Sequence, residues 1–93
     1  MLVLSIPDWG VTPFVKTTTA SPEQVAIELD AYNAAAQVVC EAHDVAFVDI
    51  TPASRERGGE AEMLADDGLH PSAAMYTLWT ALALPVARTL LQP

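Results

Sequence analysis

Residues 1–7, MLVLSIP, decide how the chain reads, because five of the first six are apolar and a proline closes the run. A short continuous apolar run suits a strand buried on both faces, and Pro7 cannot donate to a ladder. The pattern returns at residues 45–50, VAFVDI. Between the two runs, Ser21-Pro22-Glu23-Gln24 announces a helix. Ser21 can cap it, Pro22 suits the first turn and Gln24 can complete a capping box. Val25, Leu29, Tyr32, Ala36 and Val39 then recur at helical spacing to about His43.

The remaining segments complete the order of elements. Residues 7–20 hold two prolines, a glycine and four threonines, and are expected to form a loop. Residues 51–65 are polar, with Gly58-Gly59 and the charges of Arg55, Glu56, Arg57, Glu60 and Glu62, and are expected to be an exposed, solvated loop. From Ser72 a last helix carries Met75, Trp79, Leu82 and Val86 on one face, with a kink or an early end expected at Pro85. Strand, helix, strand, helix is half of a doubly wound α/β sheet. Two parallel strands leave both edges unpaired and their faces partly covered, so the chain reads as cut at its front end.

Composition narrows the function classes. Of 93 residues 52% are apolar and 17% charged, which fits one modest globular domain rather than a disordered one. A chain this short hides about 60–65% of its unfolded surface, so its stability is expected to be marginal. Twelve acids against four Lys and Arg give a net charge of −8. Phosphate backbones are held by cations, so no nucleic acid partner is expected. Cys40 is the only cysteine and falls among Val38, Val39 and Ala42, where a buried inert thiol fits. The apolar run at the start is too short for a signal-peptide core or a membrane span, which favours the cytoplasm without fixing the compartment.

The chemistry is concentrated in Asp67-Gly68-Leu69-His70-Pro71-Ser72. In a serine hydrolase the imidazole must hold one tautomer, with Nδ1–H donated to a carboxylate and Nε2 facing the nucleophile. A carboxylate three residues earlier can meet it within one loop, because Gly68 lets the backbone fold tightly. Pro71 then fixes the entry to a helix that Ser72 can cap. Asp66 competes with Asp67 for the carboxylate role, and spacing favours Asp67. A metal centre needs at least three ligands, and here there are two plus the distant His43. His43 suits the end of its helix, where a cation complements the dipole. Asp49 follows a strand as a receiver phosphoacceptor would, but Lys16 alone does not complete such a site. Trp9 follows the other strand, on the side where open α/β sheets bind ligands. It is equally suited to line an acyl pocket or to plug the core.

The D-x-x-H pair, the Pro-Ser that follows it and the Tyr76-x-x-Trp79 helix resemble the last conserved block of the SGNH/GDSL hydrolases. Residues 5–10, SIPDWG, look like the strand and loop before that family's penultimate helix. Asn33 stands where those helices often carry an asparagine, and residues 47–50, FVDI, look like the last strand. Met75 stands before Tyr76 where many members accept a glycine, a departure that bears on packing.

The resemblance covers most of the chain. It implies a flavodoxin-like three-layer α/β/α fold, here its last two strand–helix units, so that residues 1–93 form the C-terminal part of one esterase domain. It implies ester hydrolysis through an acyl-serine, without a cofactor or metal. His70 would be the general base and then the general acid, Asp67 its orienting carboxylate, and Asp49 a hydrogen-bonding residue at its strand end. The family's Gly-Asp-Ser nucleophile and its glycine and asparagine oxyanion donors have no counterpart here. Ser5, Ser21, Ser54 and Ser72 read as a strand, a cap, a loop and a cap. The chain alone is therefore expected to be inactive on its small-molecule ester. Two alternatives are a non-catalytic remnant that docks or dimerises through its unpaired strand, and an acyltransferase whose acceptor is a sugar or another alcohol.

Overall fold

The computed structural model describes residues 1–92. Its class is the mixed α/β one expected: a parallel two-stranded sheet with three helices. Strand β1 is Leu2–Leu4 and strand β2 is Ala46–Val48, paired in the register Leu2/Ala46, Val3/Phe47 and Leu4/Val48. Helix α1, Pro22–Ala42, connects them. The segment expected as a loop after β1 winds into two 3₁₀ turns, Trp9–Val11 and Pro13–Thr17.

Helix α1 begins as its sequence predicts, with the Ser21 hydroxyl accepting from the Gln24 N–H at 3.1 Å. The reciprocal half of the capping box is not made, because the Gln24 side chain donates to Glu28 one turn on. The helix ends in a Schellman arrangement, with Val45 N–H on the Cys40 carbonyl (2.8 Å) and Asp44 in the left-handed region at φ 54°. Its buried and half-buried face runs Val25, Leu29, Asn33, Ala36, Cys40. The expected stripe shared only Val25, Leu29 and Ala36 with it, and Tyr32 and Val39 are exposed. Asn33 accounts for the difference, since its amide binds the backbone of Ile6 just beyond β1. Its Oδ1 accepts from Ile6 N–H at 2.8 Å, and its Nδ2 donates to Thr51 Oγ1 at 3.0 Å.

Phe47 and Val48 point to opposite faces of β2. Phe47 lines a polar recess with Asn33, Ala34 and Gln37 of α1, whereas Val48 packs on a core of Ile50, Met63, Met75 and Trp79. Met75 and Trp79 belong to helix α3, Ala73–Leu91, capped by Ser72 as expected. One helix therefore lies against each face of β2. Pro85 does not end α3, which continues six residues beyond it. Leu82, expected on the core face, is 42% exposed, so the stripe is buried only over the first two turns. By length and composition α3 is also apolar enough to cross a membrane, so the expected absence of a span does not extend to this helix's composition.

Two expectations are corrected by packing. Strand β1 is not buried on both faces: Leu2 and Val3 are half-buried, and Leu4 and, beyond the strand, Ile6 are exposed. Helix α3 covers β2, and β1 hydrogen-bonds along one edge only among the described residues. Residues 51–65 are not a solvated loop either. Helix α2, Thr51–Arg57, is followed by a 3₁₀ turn, Ala61–Met63, whose Met63 enters the core. Pro52 presets the helical φ in the first turn of α2. The buried positions, Thr51, Ser54 and Gly58, are polar or small, so no apolar period marks the helix.

Candidate active site

The loop between Met63 and α3 is closed at its base. Ser72 N–H donates to the Met63 carbonyl (2.9 Å), Leu64 and Pro71 form an antiparallel bridge, and Ala65 N–H donates to the His70 carbonyl (2.7 Å). Within it a turn is fixed by Gly68 N–H on the Ala65 carbonyl at 3.0 Å, and Gly68 lies at φ 69°, where a side chain is strained. The chain therefore reverses between Asp67 and His70, as the glycine predicts.

That reversal lets one carboxylate serve backbone and side chain together. Asp67 Oδ1 accepts from the N–H groups of Leu69 and His70, both at 2.9 Å, while Oδ2 meets His70 Nδ1. The His70 contact first, and the two backbone donors after it, lower the Asp67 pKa to about 2. An ionised carboxylate only accepts, so the proton between them sits on Nδ1. In the neutral ring Nε2 is then the bare acceptor. The His70 side chain is 71% exposed. The carboxylate that His70 meets is that of Asp67, not Asp66.

Beside His70 opens a cleft of about 450 Å³. Met63, Met75 and Trp79 line it from the core, and Leu64, Leu69 and Pro71 from the loop. Trp9 and Phe14 line it as an edge-to-face pair with centroids 6.2 Å apart. Trp9 thus stands in one cleft with His70. Phe14, Leu64 and Leu69 were not singled out from sequence, because isolated apolar residues in loops carry no period. The volume falls in the range of small-molecule sites, about 300–1,000 Å³, and the lining is mostly apolar.

The four serines all have structural partners. Ser5 Oγ donates to Asp49 Oδ1 (2.8 Å) and accepts from Ile50 N–H (2.7 Å), which gives Asp49 the hydrogen-bonding place implied for it. Ser54 Oγ, in α2 rather than a loop, donates to the Thr51 carbonyl and accepts from Asp8 N–H. Ser21 and Ser72 cap α1 and α3. None makes a hydrogen bond to His70 among the described residues. His43 is the C-cap of α1 and lies outside the cleft lining.

Residues 2–78 match the sequence profile of the GDSL-like Lipase/Acylhydrolase family. No curated protein and no solved structure matches the chain.

Proposed function

This chain belongs to the GDSL-like Lipase/Acylhydrolase family, and from that membership we propose that it carries the proton-relay half of a serine ester hydrolase. The observation that carries the reading is the Asp67–His70 pair, its Nε2 unbonded, at an apolar cleft. In this reading His70 Nε2 takes the serine's proton as Oγ attacks the ester carbonyl. The imidazolium then protonates the departing alkoxide, leaving an acyl-serine. A water molecule repeats the attack, His70 again takes the proton, and the serine leaves protonated with a carboxylic acid as product. Asp67, ionised throughout, holds Nδ1–H and offsets the charge that develops on the ring. Trp9 lines the part of the cleft that takes the acyl group. The lining favours an apolar acyl group, and no step calls for a metal or cofactor.

The nucleophile and oxyanion donors, in this proposal, come from residues outside the 93. The two-stranded sheet is correspondingly the last two strand–helix units of a flavodoxin-like three-layer domain, which the helices on opposite faces of β2 support. The test is His70→Ala in the protein that carries its serine, assayed on short p-nitrophenyl esters. The variant is expected to lose nearly all turnover, and a serine-directed phosphonate to silence the wild type. Turnover that survives His70→Ala sinks the reading.

A second reading has its own observation. Strand β1 keeps a free edge among the described residues, and Leu4, Ile6, Leu82 and Leu90 are exposed. Such an edge is a template for strand pairing. The 93-residue chain is accordingly expected to self-associate on size-exclusion chromatography, and a sharp monomer at all concentrations would exclude docking by self-pairing.

A further inference from the structure

Asp8, 3% exposed, is a buried carboxylate that the proposed reaction does not use. Both its oxygens are committed. Oδ1 accepts from Gly10 N–H at 2.8 Å and so caps the 3₁₀ turn that carries Trp9, while Oδ2 accepts from Arg55 Nε at 2.9 Å. Arg55 Nη2 reaches on to Asp30 Oδ1 at 2.8 Å and the Ala26 carbonyl at 3.3 Å. One guanidinium therefore joins the turn after β1 to α1 and to its own helix α2.

The turn has little slack between those helices. A Cβ on Gly10 would come within 3.1 Å of Val25, and one on Gly58 within 2.9 Å of Val11 Cγ2. From this seat the chain runs on through Thr12, whose Oγ1 donates to the Trp9 carbonyl at 2.6 Å. Two residues later Phe14 N–H donates to the Gly68 carbonyl at 3.2 Å. Gly68 is the left-handed residue between Asp67 and His70. Residues 8–15 are thus a bracket, held by Asp8 and Arg55 at one end and holding the Asp67–His70 loop at the other.

We propose that Asp8 and Arg55 are positioning residues for the Asp67–His70 pair, acting through the Phe14 amide on the Gly68 carbonyl. The purpose of the device rests on the esterase reading, but its test does not need turnover. Breaking the ion pair from the Arg55 side leaves a buried carboxylate without its cation, and the bracket relaxes to hydrate it.

The test is nuclear magnetic resonance on the ¹⁵N-labelled 93-residue chain, following hydrogen exchange at the Phe14 amide and the downfield Nδ1 proton of His70. Arg55→Met is expected to speed Phe14 exchange by at least about tenfold and to broaden the Nδ1 proton away, with the Phe47 and Val48 amides unchanged. Arg55→Lys, which keeps the charge and loses the fork, is expected to fall between. Arg57→Met breaks the exposed pairs with Glu60 and Glu62 and is expected to leave both signals at wild-type values. If Arg55→Met does not fold, Arg55→Lys and Asp8→Asn carry the same comparison. Protection lost evenly over all amides would make the clamp a stability element only and overturn the proposal. So would unchanged Phe14 and His70 signals, or a Phe14 amide unprotected in the wild type. If the signals respond while His70→Ala leaves turnover intact, the esterase reading falls and the coupling stands.

Discussion

Replacing Asp67 by Asn separates the two tasks that its carboxylate performs. The asparagine carbonyl oxygen can keep both backbone bonds now made by Oδ1, those from Leu69 and His70 at 2.9 Å, so the loop retains its turn. The amide nitrogen then takes the place of Oδ2, and it donates where Oδ2 accepted. Two donors face each other until the ring moves its proton from Nδ1 to Nε2. A protonated Nε2 cannot take the serine's proton, and the imidazolium loses its counter-charge. In a serine protease the equivalent change costs about 10⁴ in kcat, and a loss of that order is expected here with KM little changed. Asp66→Asn is expected to stay within a few-fold of wild type. The assay is kcat/KM on p-nitrophenyl esters in the serine-bearing protein, with ¹⁵N shifts of His70 reporting the tautomer in the 93-residue chain. If Asp66→Asn were crippling and Asp67→Asn mild, the pairing would have to move one position back and the mechanism would be wrong.

Two further outcomes follow from the same geometry. The 93-residue chain alone is expected to match buffer on short esters, because all four serines are engaged elsewhere. Losing a protease nucleophile alone costs about 10⁶ in turnover, and phosphonate-sensitive activity from this chain would refute the assignment. The Asp67 carboxyl is expected to titrate with a midpoint of about 2, followed by its ¹³C shift. Its folded pKa lies below the unfolded value of about 3.9, so its stabilising contribution is complete above that value and is lost as pH falls through about 2. A midpoint at the ordinary carboxylate value would show that the His70 contact does not form in solution.

What could be read from the sequence was what the chain decides locally. Ser21 and Ser72 cap their helices because a hydroxyl reaches an N–H three residues on, whatever surrounds it. The Asp67–His70 pairing is equally local, since a glycine at φ 69° and a three-residue spacing leave the two side chains few other places to meet. Helix α2 escaped notice because its buried face is Thr51, Ser54 and Gly58, and hydrophobic periodicity cannot register a face that buries hydroxyls. The buried stripe of α1 slipped by one residue for a related reason. Tyr32 and Val39 are the apolar choices, but the face toward the sheet is the one that brings Asn33 to the backbone of Ile6.

The same division runs through the site. The pair proposed to move the proton lies within four residues, where spacing makes the pairing legible and the resemblance implies its role, whereas what surrounds it comes from distant segments. Arg55 stands 47 positions from Asp8, and Phe14 is 54 positions before Gly68. An arginine in a run of mixed charge looks solvated, and nothing in RERGGE distinguishes Arg55, held between Asp8 and Asp30, from Arg57, held by exposed Glu60 and Glu62. Burial separates the two. Asp8 has lost its water and depends on Arg55 for a cation, whereas Glu60 and Glu62 keep their hydration if Arg57 is lost. Substituting Arg55 should therefore disturb the walls of the cleft far more than substituting Arg57, although the two arginines stand only two positions apart in the same charged run.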